Sequence, residues 1–289
     1  MIKLIASDMD GTLLNNKHEI DDETVKAIRK AEDCGIIFAI STGREYENVE
    51  PFLKKHNIRC QCVLMNGAEY RDEDGNIIEE INIENSKCRE IISILHKNKV
   101  SARIFTNKGV YTSDTKEEAL KEMTYRTLAF NPEMSVEEAR EEAKKQPYFT
   151  QLKYINNMEE FLNSHIKIRK FVAFHKNIEL INEIKEAIGK IDGLAVSSSF
   201  VDNIEITDHF AQKGLILAKV SKEMGIEMDE VMVLGDSFND YSMFAEFTES
   251  VAMGNAIPEI KEIAKYITDT NDNLGVAKAI YRVVEEQSK

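Results

Sequence analysis

The chain has 289 residues, 43% hydrophobic and 30% charged, which is enough for one large domain or two modest ones with separate cores. Its formal net charge of −14 argues against a nucleic-acid partner or an anionic membrane surface, since either needs a basic face. It leaves room for a small anionic substrate held by a few local cations. No stretch approaches the roughly 20 apolar residues that span a bilayer, and because Met1 leads straight into a strand no signal peptide is expected. The four cysteines, Cys34, Cys60, Cys62 and Cys88, read as reduced thiols. A cytoplasmic protein, monomeric or a small homo-oligomer, is expected.

Ile2-Lys3-Leu4-Ile5-Ala6 reads as a buried strand, followed by the acidic turn Asp8-Met9-Asp10-Gly11-Thr12. A helix follows over 21–31, opened by acidic residues, and then a second buried strand over 35–40 that ends at Ser41-Thr42-Gly43-Arg44. A helix over 45–56 leads to a third strand, Cys62-Val63-Leu64-Met65, which ends at Asn66-Gly67. Cys60-Gln61-Cys62 has no second pair at metal-ligand spacing and reads as small apolar residues at a strand start. Asp72-Glu73-Asp74-Gly75-Asn76 then marks a hairpin. This strand–helix alternation predicts a right-handed parallel sheet.

The pattern resumes late in the chain. A helix is expected over 212–224, a strand at Val231-Met232-Val233-Leu234, a helix over 240–246, a strand over 250–253, a helix over 258–265 and a last helix over 275–286. The stretch between is different. Its helices are highly charged, as in Glu137-Glu138-Ala139-Arg140-Glu141-Glu142, and its expected strands are 171–174, 194–196 and 203–206. One parallel-sheet domain, residues 1–82 and 200–289, interrupted by an inserted α+β domain, residues 83–199, is the simplest organisation.

Chemistry concentrates at the strand ends. Asp8 and Asp10 close the first strand, and Gly235-Asp236-Ser237-Phe238-Asn239-Asp240 closes the one at 231–234. Carboxylates at the carboxyl edge of an open α/β sheet stand where such sheets bind ligands, and two clusters can close around a hard cation. Each loop alone has a plainer reading. Asp10-Gly11 suits a turn, Asp240 a helix start, Ser41-Thr42-Gly43 a helix cap and Lys213 a solvated surface. Paired carboxylates beside an apolar strand end are nonetheless costly, and a structural role gives little reason to build them twice.

Asp-x-Asp-Gly-Thr, Ser-Thr-Gly-Arg, Lys-Gly and Gly-Asp-x-x-Asn-Asp, in that order, make the chain resemble the haloacid dehalogenase-like hydrolases, in particular the Cof-type phosphatases. The resemblance covers both core segments. It implies an α/β fold with a Rossmann-like parallel sheet, helices on both faces and an α/β cap inserted between the second and third motifs. It further implies that Asp8 is the nucleophile, forming an aspartyl-phosphate, and that Asp10 is the acid that protonates the leaving oxygen and then deprotonates water. That role calls for a higher pKa at Asp10 than at Asp8. Mg²⁺ would bind Asp8, the Asp10 carbonyl and Asp236, with Asp240 an outer partner of a metal-bound water. Thr12, Thr42, Gly43 and Asn66 would hold phosphate oxygens, Lys213 would neutralise charge, and Asn239 would orient Lys213 or the phosphate.

Arg44 would face the substrate or form an ion pair inside the core. In the cap, Arg103, Lys153, Lys170 and His175 are either polar contacts to substrate or surface and strand-edge residues, while Tyr111 and Tyr125 suit packing. The expected activity is Mg²⁺-dependent hydrolysis of a small phosphorylated metabolite: a sugar phosphate, flavin mononucleotide or pyridoxal phosphate. A phosphomutase, or a phosphate-binding module with little turnover, is the alternative.

Overall fold

The computed structural model describes residues 1–287 and, of Phe130, the backbone alone. It divides into two compact units, Met1–Ile81 with Ser197–Phe200 and Thr207–Lys289, and Asn82–Val196 with Val201–Ile206.

The first unit carries strands β1 (Leu4–Ser7), β2 (Ile37–Ser41), β3 (Gln61–Leu64), β4 (Glu69–Arg71) and β5 (Ile77–Glu80). The second carries β6 (Ala102–Thr106), β7 (Gly109–Thr112), β8 (Lys153–Tyr154), β9 (Ile168–Phe174), β10 (Leu194–Ser197) and β11 (Asn203–Asp208), the last two running on into the first unit's residues. The chain then returns to the first unit with β12 (Val231–Gly235), β13 (Glu249–Ala252) and β14 (Tyr266–Ile267). The first sheet has the order β14-β13-β12-β1-β2-β3-β4-β5. It is parallel from β14 to β3, and the hairpin strands β4 and β5 add antiparallel.

Every residue of β1 and β12 is buried. Strands this apolar need cover on both faces, as central parallel strands have. Part of that cover comes from helix Asp22–Asp33, which presents Thr24, Ala27, Ile28 and Ala31 at helical spacing, and from helix Gly275–Gln287 with Val276, Ile280, Val283 and Val284. Asp22 and Glu23 in the first turn and Lys30 in the last oppose the dipole of the former helix.

The second unit is a six-stranded sheet of order β10-β11-β9-β6-β7-β8. Ile104, Ile168, Phe171, Ala173, Ile204 and Ile206 form its core with Ile91 and Leu95 of helix Asn85–Lys97 and Ile181, Ile184 and Ile188 of helix Ile178–Gly189. Thr115 with Glu118, and Ser135 with Glu138, form capping boxes that start its charged helices, Lys116–Phe130 and Val136–Ala143.

Two expectations change here. The insertion does not simply end at 199: Val201–Ile206 belongs to the second unit because β11 lies between β10 and β9, whereas the turn Ser197–Phe200 belongs to the first. Arg103 and Lys170 are not surface or edge residues. Both are buried in ion pairs, Arg103 with Glu122 and at 3.9 Å with Asp114, and Lys170 with Glu205 at 2.5 Å. Lys153 is exposed and donates to the Lys108 carbonyl, and the His175 Nδ1 accepts from the Asn177 N–H at 3.1 Å. Among the described residues no helix is long and apolar enough to cross a membrane.

Candidate active site

Strand order reverses at β1, with β2 on one side and β12 on the other. The loops leaving β1 and β12 therefore diverge, and the crevice between them is the natural ligand site of such a sheet. The register pairs Ser7 with Leu234, and the Asp8 N–H donates to the Leu234 carbonyl at 3.0 Å, so Asp8 and Asp236 leave adjacent strand ends together.

Lys213 stands at the centre. It is the first residue of helix Lys213–Glu223, where the dipole disfavours a cation, and it is fully buried. Two carboxylates justify the placement: Nζ donates to Asp8 Oδ1 at 2.7 Å and to Asp240 Oδ1 at 2.6 Å. Burial alone would depress this amine, but Asp240 and Asp8 outweigh it and hold the ammonium above its usual range. The helix start is fixed by the Gly214 N–H, which donates to Ser242 Oγ at 2.9 Å; any side chain at Gly214 would overlap the Ser242 carbonyl.

Asp240 has both oxygens occupied. Its Oδ2 accepts from the backbone N–H of Asp236 at 2.9 Å and of Ser237 at 3.0 Å, which leaves Oδ1 for Lys213. Asp236 accepts from Thr12 Oγ1 at 2.8 Å and from Ser237 Oγ at 3.0 Å. Asp8 differs from both, because its Oδ2 receives no hydrogen bond from the described residues.

Negative charge is in excess. Carboxylate oxygens of Asp8, Asp236 and Asp240 lie within 4.8 Å of one another, against one ammonium. Burial pushes the Asp8 carboxyl well above the ordinary range, with Lys213 pulling the other way. Burial raises Asp236 to about 7, Asp240 adding to the rise while Thr12 and Ser237 oppose it. An all-oxygen donor set whose members resist ionising together fits a hard divalent cation.

Asp10 stands apart from this cluster. Its side chain is 45% exposed and pairs with Arg44, whose Nε donates to Oδ2 at 2.7 Å and Nη2 to Oδ1 at 2.6 Å. Asp8, by contrast, is buried.

The β2 and β3 loops meet beside β1. The Thr42 N–H donates to the Val63 carbonyl at 2.8 Å, and the Asn66 N–H to the Thr42 carbonyl at 3.0 Å. Asn66 adopts φ +61°, a left-handed conformation that asparagine tolerates. Asn239 Nδ2 approaches Asn66 Oδ1 at 3.4 Å, and the Asn239 N–H donates to the Ser198 carbonyl at 3.2 Å. Asn239 Oδ1 is buried with no hydrogen-bond partner. The Thr12 hydroxyl, expected on phosphate, is instead committed to Asp236. Cys60 and Cys62 are buried around the start of β3.

Three contributors escaped the sequence reading. Ser237 lies inside the Gly-Asp-x-x-Asn-Asp motif and was visible in principle. Asn255, whose Nδ2 donates to the Gly11 carbonyl at 2.8 Å, follows the β13 strand end, and the same edge rule would have found it. The turn at Ser197–Phe200 carries no signal beyond three adjacent serines.

Gly11 has φ +75°, and a Cβ there would stand 2.6 Å from Asp236 Oδ2. Gly11→Ala is expected to cost about 1–2 kcal/mol of backbone strain and to displace Asp236, so urea unfolding should shift and turnover should fall. A variant with wild-type stability and rate would contradict the close approach.

Residues 5–280 match the family described as haloacid dehalogenase-like hydrolase. The phosphatase YwpJ of Bacillus subtilis is 32% identical over 278 residues, 96% of this chain and 98% of that protein. The 5-amino-6-(5-phospho-D-ribitylamino)uracil phosphatase YcsE of the same organism is 32% identical over 282 residues, 96% of this chain and 94% of that one. Among solved structures, a haloacid dehalogenase-like hydrolase from B. subtilis superposes with a TM-score of 0.85 at 31% identity, covering 98% of this chain and all of that one. With the strand-edge cluster described above, these likenesses establish that the chain belongs to the haloacid dehalogenase-like hydrolase family, in its Cof-type branch, and is a phosphoric monoester hydrolase.

Proposed function

We propose that the protein hydrolyses a small phosphorylated metabolite, a sugar phosphate or a phosphorylated cofactor, through an aspartyl-phosphate on Asp8 with Mg²⁺ as cofactor. The observation that carries this reading is the asymmetry of Asp8: Lys213 grips Oδ1, and Oδ2 receives no hydrogen bond from the described residues. A carboxylate held by one oxygen is oriented for attack with the other.

Asp8 Oδ2 bonds to phosphorus as the bond to the leaving oxygen breaks, and that oxygen takes a proton from Asp10. Water then adds to phosphorus and gives a proton to Asp10 while the bond to Asp8 breaks, which returns the enzyme and releases inorganic phosphate. Lys213 balances charge on Asp8 and on the phosphoryl oxygens. Thr42, Gly43, Asn66 and Asn239 hold phosphate oxygens, the buried and unpartnered Asn239 Oδ1 fitting an orienting role. Asp8, the Asp10 carbonyl and Asp236 would hold Mg²⁺, which when bound neutralises the phosphoryl group and draws it towards Asp8. Asp240, with both oxygens occupied, anchors Lys213 and the 236–237 backbone rather than entering the inner shell.

The name of YcsE makes a phosphorylated ribityl compound one candidate substrate class. The test is phosphate release from a panel of sugar phosphates, flavin mononucleotide, pyridoxal phosphate and ribityl phosphates, with Mg²⁺ and with chelator. Release that requires the metal supports the reading. A sugar bisphosphate that isomerises without net phosphate release would turn it to a mutase. Tight phosphate binding with no turnover of any ester would turn it to a binding module.

A further inference from the structure

Within that phosphatase reading, we propose that Arg44 is the positioning residue for Asp10, its guanidinium fork setting where the Asp10 carboxylate stands when it meets the leaving oxygen. Asp10 lies outside the Asp8–Asp236–Asp240 cluster, and its side chain is nearly half exposed. An aspartate so placed would sample its rotamers in solvent were it not held. The hold is two-pronged, Nε on Oδ2 and Nη2 on Oδ1, a geometry that fixes a direction as well as a distance and that lysine cannot reproduce.

Arg44 is itself anchored. Its N–H donates to Thr42 Oγ1 at 3.3 Å and its carbonyl accepts from the Met65 N–H at 3.0 Å. Its Nη1 donates to the Asn48 carbonyl at 3.4 Å, and the guanidinium stands 5.4 Å from the centre of the Phe52 ring. The residue therefore links the β1, β2 and β3 loops, which carry Asp10, Thr42 and Asn66: its side chain reaches Asp10, and its backbone reaches Thr42 and Met65. Proton transfer needs one Asp10 oxygen. The fork can release one while holding the other, so the carboxylate pivots about a fixed point instead of searching for the leaving group. Misplacing a reacting group by about 1 Å can cost around a hundredfold.

The experiment compares wild type, Arg44→Met and Arg44→Lys, each alone and with Asp10→Asn, after circular dichroism has shown native melting. Steady-state kinetics use an alkyl phosphate. Single-turnover cleavage uses that ester and 4-nitrophenyl phosphate, whose leaving group departs without a proton. For Arg44→Met, kcat on the alkyl ester should fall about 10–100-fold, with KM within about twofold. Single-turnover cleavage of the alkyl ester should slow by a similar factor, while the nitrophenolate burst slows less than about threefold. Arg44→Lys should recover part of the loss, and Arg44→Met should add nothing in the Asp10→Asn background.

An equal rise in KM for both esters that persists with Asp10→Asn would make Arg44 a substrate contact and overturn the proposal. An unchanged kcat in Arg44→Met would overturn it too. A wild type that cleaves neither ester, and is indistinguishable from Asp8→Asn, would instead sink the phosphatase reading and this role with it.

Discussion

Lys213→Met is expected to cost the protein both its turnover and about 3–5 kcal/mol of stability, the scale for breaking a buried ion pair by removing one partner. Lys213 is fully buried and is the cation shared by Asp8 and Asp240. Methionine fills similar volume, so the loss is electrostatic and not a cavity effect. It strands Asp240, whose other oxygen holds the Asp236 and Ser237 N–H groups, so the second acidic loop should loosen with it. On the proposed mechanism the rate loses the charge that balances Asp8 and the phosphoryl oxygens, a change worth at least about a hundredfold in kcat. Urea unfolding in chelator measures the first effect and phosphate release in saturating Mg²⁺ the second. A variant as stable as wild type would show that the pair is not held as described.

The metal-free protein should lose stability as pH rises from about 4 to about 7, and Mg²⁺ should restore it. Asp236 has a folded pKa raised to about 7 from an ordinary 3.8, so between about pH 4 and 7 the folded state binds more protons than the unfolded chain. Unfolding stability falls with pH wherever the folded state holds the extra proton. Below about 4 both states are protonated and the penalty is absent; above about 7 it is complete. Three units correspond to about 4 kcal/mol as an upper figure. Asp8 acts in the same direction.

In chelator, Asp236→Asn should therefore be about 2–4 kcal/mol more stable than wild type at pH 8 and close to it at pH 4. Mg²⁺ should stabilise wild type more at pH 8 than at pH 5 and should stabilise the variant little. Taking the difference between variant and wild type removes the general effect of a net charge of −14. A difference that stays flat across pH would show that Asp236 is not carrying the excess charge.

The first sheet was legible because its central strands are unambiguous. Leu4–Ser7 and Val231–Gly235 are short apolar runs stopped by acidic turns, and strands buried on both faces read as continuous hydrophobic runs. In the second sheet β10, β11 and the latter part of β9 were expected, whereas β6, β7, β8 and the start of β9 were not. β6 carries Arg103 and β9 carries Lys170, and a charged residue at a buried position looks like a surface until its partner is known. Glu122 and Glu205 supply those partners from elsewhere in the chain.

The site divides in the same way. Its loops could be named because carboxylates, a lysine and glycines at strand and helix ends are types that chemistry selects. Which oxygen meets which donor could not be read, because a hydroxyl such as Thr12 serves a carboxylate or a phosphate equally well. The burial of Asp8 and the exposure of Asp10 depend on how the turn at Gly11 folds over Asp236, and no spacing rule reports that.

The most direct test of the mechanism is rapid acid quench of enzyme, Mg²⁺ and an active phosphate ester, followed by mass spectrometry of the peptide containing Asp8 and Asp10. The account predicts a phosphoryl group on Asp8, stable in acid, removed by hydroxylamine, formed no slower than phosphate is released and absent from Asp8→Asn, which should also turn over at least about a thousandfold more slowly. Full-rate phosphate release by Asp8→Asn, or wild-type turnover with no phosphoryl group on Asp8 at any time, would contradict it.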